Sequence, residues 1–365
     1  MQTQKLRVGI VGMGWAGETH LKAYQQMPNV EVVALADPYE ERLTQLKGLY
    51  PTIEHFYADY NDLVARDDLD IVSVATPNYL HAPVSIAALQ SGKHVLCEKP
   101  LARTVAEGES MMKAAIEANR VLEVAFNHRR RGDVQVLKKH IDEGGLGTVY
   151  NAKAYWMRRS GIPGMGGWFT SREKAGGGPL IDLGVHVLDM ALYLMGEPEV
   201  VAVSGMTYAE LGPRGLGSRG DRVATGVYEV EDLATAFIRL KGGVTLLLEA
   251  SWAVYGRHGD DYGVVLHGTD GGADIDVVQY SWENTLTLYE DVAGTPAVIR
   301  PKVVRGEGHV AVVREFIDII QGGQDWQTHR GQEGLRRAQI IEAIYRSALE
   351  GREIALTDAA EKLSE

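Results

Sequence analysis

The sequence predicts a two-domain α/β chain: a doubly wound parallel-sheet domain, then an α+β domain built on a large, open, mostly antiparallel sheet. Three observations carry this expectation. Over the first third, short Val- and Ile-rich runs alternate with amphipathic segments, the pattern of a parallel sheet covered on both faces. Beyond about residue 128, strand-like runs are joined by tight turns such as Lys241-Gly242-Gly243, which pair strands antiparallel. At 365 residues the chain is long for one domain and comfortable for two. The change in character divides it into residues 1–127 and 128–365, with a C-terminal helix able to pack back on the first domain.

In order, "LRVGIVGMG" (6–14) reads as a buried strand, "AGETHLKAYQQM" as a helix and "VEVVALADP" as a second strand. Helix, strand and helix follow in "YEERLTQLKGLY", "LDIVSVATP" and "APVSIAALQSG", the last ending at Gly92. "KHVLCEKP" and "RVLEVAFNH" are strands around the helical "TVAEGESMMKAAIEAN". In the second domain, helical "DVQVLKKHIDEG" precedes "TVYNAKAYWMRR", which alternates as a strand does. A Gly-rich loop, "SGIPGMGGWFTSREKAGGG", leads into a further helix. In 244–252, Val244, Leu246, Leu248, Ala250 and Trp252 share one face, and Thr245, Leu247, Glu249 and Ser251 form a mixed one. That half-polar face suits either solvent or a homo-oligomer contact, dimer or tetramer. "VAVSGMTYAE" (201–210) reads as a strand running into the most loop-like stretch, the loop or flap at 205–222, and "VAVVREFIDIIQ" and "LRRAQIIEAIYRSALEG" read as closing helices.

Lys plus Arg number 37 and Asp plus Glu 49, a net charge of −12. This acidic balance argues against nucleic acid or an anionic membrane as partner. The single cysteine, Cys97, excludes an internal disulfide or a cysteine zinc cage and lies in a strand as a small buried hydrophobe. No apolar run approaches roughly 20 residues, so the expectation is a soluble, cytoplasmic protein.

Gly12-Met13-Gly14-Trp15-Ala16-Gly17 spells G-x-G-x-x-G. It follows a strand, opens a helix, and precedes Asp37 at the end of the second strand, as a dinucleotide cradle requires. Asp37 would accept hydrogen bonds from ribose hydroxyls and repel a 2′-phosphate, and Pro38 and Tyr39 follow it in place of arginine. NAD is therefore expected over NADP. A second pattern lies in "AGGGPLIDLGVHVLDM" (175–190), where Asp182, His186 and Asp189 fall on one stripe of a 3.6-residue helix. That spacing suits a metal pair, a proton-transfer pair or a buried histidine held by a carboxylate. Gly176 to Gly178 would let a ligand approach the helix start.

Together with the cradle, "ATPNYLHAPVSIAALQSGKHVLCEKP" (75–100) and "GGGPLIDLGVHVLD" (176–189) strongly resemble the Gfo/Idh/MocA oxidoreductases. The resemblance covers nearly the whole chain and implies a Rossmann NAD domain followed by an open-sheet domain. It implies that Lys99 of Glu98-Lys99-Pro100 reaches the reacting hydroxyl, with the Lys-Pro bond often cis, and that Asp182 and His186 are the D-x-x-x-H pair with the histidine as general base. It places Thr76, Pro77, Asn78 and His81 along the cofactor and Trp168 near the nicotinamide. Phe169 stands where many members carry arginine.

The chemistry agrees with these roles. Oxidising a secondary alcohol needs a hydride acceptor, a base near neutral pKa and a group to stabilise the alkoxide. His186 suits the base and Lys99 the stabiliser. No metal is expected, because a third ligand is missing from the i, i+4 pair and Lys99 takes the Lewis-acid role. Asp189 would support His186, and His309 would either cap its helix or reach the substrate. Trp156, Arg158 and Trp168, with Arg159 and Tyr155 near them in sequence, suit a ring with several hydroxyls. The expected function is NAD-dependent oxidation of a cyclic polyol, sugar or glycoside. The alternatives are inositol dehydrogenation, redox-assisted glycoside cleavage and a nucleotide-sensing regulator.

Overall fold

The computed structural model describes residues 5–218, 228–257, 259–322 and 325–356. Two compact units emerge: Met1–Arg130 with Glu307–Ala338, and Arg131–Gly306 with Gln339–Glu365. The expected division at 127/128 is thus crossed by residues 307–338, which return to the first unit.

The first unit contains β1 (Leu6–Val11), α1 (Trp15–Tyr24), β2 (Val30–Ala36), α2 (Glu40–Leu49), β3 (His55–Tyr57) and α3 (Tyr60–Val64). It continues with β4 (Ile71–Val74), α4 (His81–Gln90), β5 (His94–Cys97), α5 (Val105–Ala118) and β6 (Leu122–Val124). The strands form one parallel sheet in the order β3-β2-β1-β4-β5-β6. The chain reverses its winding between β1 and β4, and in such sheets ligands sit beyond the strand ends at that reversal. The core joins Val8, Ile10, Leu35, Ile71 and Leu96 of the strands to Leu21 and Tyr24 of α1. Val312, Val313, Phe316, Ile317 and Ile320 complete it. They form the apolar stripe of a helix at 309–322, and burying that stripe is what returns the segment to this unit.

The second unit starts with α6 (Gly132–Asp142), β7 (Val149–Arg158), α7 (Arg172–Ala175) and α8 (Val185–Leu194). Then come β8 (Val200–Tyr208), β9 (Leu233–Leu240), β10 (Thr245–Ser251), β11 (Asp260–Gly268), β12 (Gly271–Val278), β13 (Leu286–Val292) and β14 (Thr295–Ile299). The first unit then takes α9 (His309–Gly322) and the start of α10 (Gln332–Glu350), and the second unit resumes within α10 and ends with β15 (Ile354–Ala355). The nine strands run in the order β14-β13-β12-β11-β7-β10-β9-β8-β15. Pairing is antiparallel except between β7 and β10, which is parallel. Gly242 and Gly243 both take left-handed φ, 82° and 83°, to close the turn from β9 to β10. Leu246, Leu248, Ala250 and Trp252 are buried on the face expected from their alternation.

Where the expected strand at 201–210 and the expected loop at 205–222 overlap, the strand prevails: Gly205 to Tyr208 pair with Ala236 to Leu233. Glycine is required at 205 by packing, because a Cβ there would lie 2.6 Å from Ile344 of α10. Residues 219–222 of that expected flap lie outside the described residues. Among the described residues, no helix is long and apolar enough to cross a membrane.

Candidate active site

The cradle follows from three glycines that are needed for two different reasons. A Cβ on Gly12 would lie 2.5 Å from the Ala75 carbonyl oxygen, and one on Gly17 would lie 1.9 Å from that of Gly12. A Cβ on Gly14 would meet nothing within 4 Å. The first and third therefore permit close backbone packing, while the second opens the N-terminus of α1, whose amides and dipole suit a pyrophosphate. Asp37 is buried, and its Oδ2 accepts the Met13 N–H at 2.9 Å. Its Oδ1 accepts the Tyr39 N–H at 3.1 Å. The carboxylate therefore fastens the cradle as well as closing the second strand. An arginine does stand here: Arg42 donates to the Met13 carbonyl at 2.8 Å and pairs with Glu18. The donor set fits a dinucleotide.

Lys99 is half-buried at the end of β5, and its bond to Pro100 is cis. Its neighbours on both sides are held by histidines. The Pro100 carbonyl lies 2.7 Å from Nδ1 of His81, whose Nε2 lies 2.9 Å from the Thr76 carbonyl. Both nitrogens of the buried His81 ring thus face backbone carbonyls, one in the segment after β4 and one at Pro100. Glu98 is likewise engaged internally. Its Oε1 accepts from His20 Nε2 at 3.0 Å and His309 Nε2 at 3.1 Å, and its Oε2 from the Lys99 N–H at 3.2 Å. Burial pushes this carboxyl up, but the bonds from His20 and His309 outweigh it and hold it well below the usual range. Sequence reasoning missed His20, three residues beyond the last cradle glycine, and left His309 open. The buried Cys97 has its thiol pushed up by burial, so it is an inert hydrophobe.

In the second unit, the expected regular helix begins as a π-turn over Leu180–Gly184 before α8. Asp182 sits in that widened turn, a feature that recurs at functional sites. Its Oδ2 accepts the indole N–H of Trp252 at 2.9 Å. His186 is nearly buried, with its ring 5.5 Å from that of Trp156. Asp189 is buried along α8.

The expected substrate wall is modified. Trp156 is only 4% exposed, stacks on Tyr262 at 4.3 Å and donates its indole N–H to Asp260 at 2.9 Å. It is therefore a backing for His186 and not an open platform, because the alternation of β7 turns Ala152, Ala154 and Trp156 inward. Arg158 donates to the same Asp260 oxygen at 3.0 Å and to the Tyr280 hydroxyl at 3.0 Å. Tyr155 points to the opposite face and donates to Asp276 at 2.6 Å. Trp168 stacks on Phe169 at 3.8 Å, and Phe169 meets Trp252 edge-on at 6.3 Å. The phenylalanine at 169 thus joins Trp168 to the tryptophan that holds Asp182.

Packing by itself requires glycine at Gly177 and Gly178. A Cβ on Gly177 would lie 2.0 Å from the Tyr345 hydroxyl, and one on Gly178 would lie 2.2 Å from the Glu231 carbonyl. Buried Glu231 accepts the N–H groups of Gly178 at 3.0 Å and Leu180 at 3.1 Å, and the Tyr345 hydroxyl at 2.8 Å. It caps the turn that carries Asp182. Its only sequence signal is an acidic pair, Glu231-Asp232, directly before the apolar strand β9.

Fold and cradle define an oxidoreductase with a nicotinamide-nucleotide domain. Residues 6–126 match the protein-family model described as "Oxidoreductase family, NAD-binding Rossmann fold", and residues 134–274 match "GFO/IDH/MocA C-terminal domain". The chain belongs to the GFO/IDH/MocA oxidoreductase family, and its first unit is the NAD-binding domain. It is 31% identical over 359 residues to D-glucoside 3-dehydrogenase of Escherichia coli K12, covering 98% of this chain and 99% of that one. It is 34% identical over 284 residues to levoglucosan dehydrogenase of Pseudarthrobacter phenanthrenivorans, covering 73% of each. A solved structure of levoglucosan dehydrogenase in complex with NADH and L-sorbose superposes with a TM-score of 0.84 at 28% identity, covering 97% of this chain and 99% of that one.

Proposed function

We propose that this protein oxidises a secondary hydroxyl of a pyranoside or related cyclic polyol with NAD. Bound NAD supplies the hydride acceptor. His186 takes the hydroxyl proton, Lys99 stabilises the developing alkoxide, and Asp182 accepts from a neighbouring hydroxyl or orients the imidazole. The single observation that carries this reading is the Asp182 carboxylate held by the Trp252 indole at 2.9 Å, one helical turn before His186. Such a carboxylate is a rigid acceptor ready for a substrate hydroxyl or the imidazole. Inositol is the second substrate class. The names of the two relatives above favour a glycoside over an inositol. Asp37 supports NAD over NADP, and Arg42 does not oppose it while paired with Glu18. A homo-oligomer formed through the second sheet, and a cytoplasmic location, belong to the same proposal.

The test is a rate assay with NAD across glycosides, free sugars and inositols. The reading expects NADH formation, fastest with a glucoside. Binding of NAD with neither NADH formation nor cleavage of any compound would overturn it. Cleavage without net NADH would replace it with redox-assisted glycoside cleavage.

A further inference from the structure

We infer that His309 is a positioning residue for Lys99, acting through Glu98; the inference rests on the reading of Lys99 as the alkoxide stabiliser. His309 opens α9, in the segment that returns to the first unit. Its Nε2 lies 3.1 Å from Glu98 Oε1, and His20 Nε2 lies 3.0 Å from the same oxygen. The ionised carboxylate only accepts, so both imidazoles present Nε2–H to it. That tautomer leaves His20 Nδ1 to accept from the Ser73 hydroxyl, 2.7 Å away. The other carboxylate oxygen accepts the Lys99 backbone N–H at 3.2 Å. The hold on Glu98 is thereby passed to the residue whose side chain must reach the reacting oxygen.

His309 also touches the cradle. Its ring meets that of Trp15, the first residue of α1, edge-on at 5.6 Å. One imidazole, more than two hundred residues along the chain from the motif, therefore braces both the phosphate loop and the Glu98-Lys99-Pro100 turn. The same three donor atoms, within 4.8 Å of one another, could face a metal ion. Against this, the carboxylate charge is already met by two N–H donors at ordinary hydrogen-bond lengths.

The experiment compares His309→Ala with His309→Gln, whose amide nitrogen reaches the place of Nε2. Hydrogen exchange at the Lys99 amide, followed on the NADH-bound enzyme, reads the positioning without any substrate. The expectation is exchange faster by about tenfold or more in His309→Ala and near wild type in His309→Gln. The turnover number should fall about 10- to 100-fold in His309→Ala, with NADH affinity changed far less, and recover in His309→Gln. In a Lys99→Ala background, His309→Ala should cost no further turnover. If the alanine variant does not fold, His309→Asn, whose amide stops short of Glu98, makes the same comparison. Unchanged exchange at Lys99, failure of the glutamine to rescue, or one tightly bound metal ion per wild-type chain would each overturn the inference. A wild type without turnover on any compound would overturn the dehydrogenase reading instead, and the exchange comparison would still decide the role of His309.

Discussion

Trp252 donates its indole N–H to Oδ2 of Asp182 at 2.9 Å, across seventy residues of sequence and from the end of one strand to the π-turn before α8. A hydrogen bond to a carboxylate contributes about 1.5–3 kcal/mol. Trp252→Phe keeps the aromatic bulk and removes the donor. Turnover should therefore drop about tenfold or more, with NAD affinity unchanged, in steady-state kinetics with the best substrate. Turnover equal to wild type would show that Asp182 is held by other means.

His186→Ala tests the base. It should lower the turnover number by about 10²–10⁴-fold while leaving NADH binding, measured by fluorescence titration, nearly as in the wild type. Loss of NADH binding in parallel would indicate a structural effect.

Asp37→Ala should narrow the preference for NAD over NADP by about tenfold in kcat/KM. Because Asp37 also accepts the Met13 and Tyr39 amides, absolute NAD affinity should fall too. Equal use of both cofactors by the native enzyme would contradict the ribose argument.

The first unit should lose stability as pH rises past neutrality. His329 Nδ1 lies 2.5 Å from Glu123, whose carboxylate raises the histidine above its ordinary 6.5. Burial raises Glu123 as well, with Glu315 and Glu333 adding to it. Arg129 and Arg130 line the same small cavity but pair with Glu333 and Glu315. The folded pair thus binds protons more tightly than the unfolded chain, and unfolding becomes easier as they leave. The contribution of His329 is whole below 6.5 and is lost as pH climbs through its raised value. Tm followed by calorimetry over about pH 6 to 9 should fall more for the wild type than for His329→Gln; parallel curves would dismiss the pair as a stabilising proton site.

The elements were largely legible because each is a local pattern. Strand runs in the first unit and the alternation around Leu246, Leu248 and Ala250 needed only periodicity. The parallel pairing of β7 with β10 was not legible, since register between distant strands leaves no mark in either run. The packing role of Gly177 and Gly178 was not legible for a related reason. Their requirement comes from Tyr345 and Glu231, and a glycine looks the same in sequence whether a ligand or a side chain crowds it.

By itself the sequence determined the nucleotide cradle, the Glu98-Lys99-Pro100 turn and the Asp182, His186 pair. Each is contiguous, and its chemistry resides in residue types at fixed short spacing. Tertiary structure alone decided what holds those groups still: Trp252 on Asp182, Asp260 beneath Trp156, and His309 on Glu98, at separations of 70, 104 and 211 residues. Such partners are chosen by packing after the chain has folded. A hydrogen bond needs donor and acceptor within about 3 Å in space, and no local periodicity records that distance.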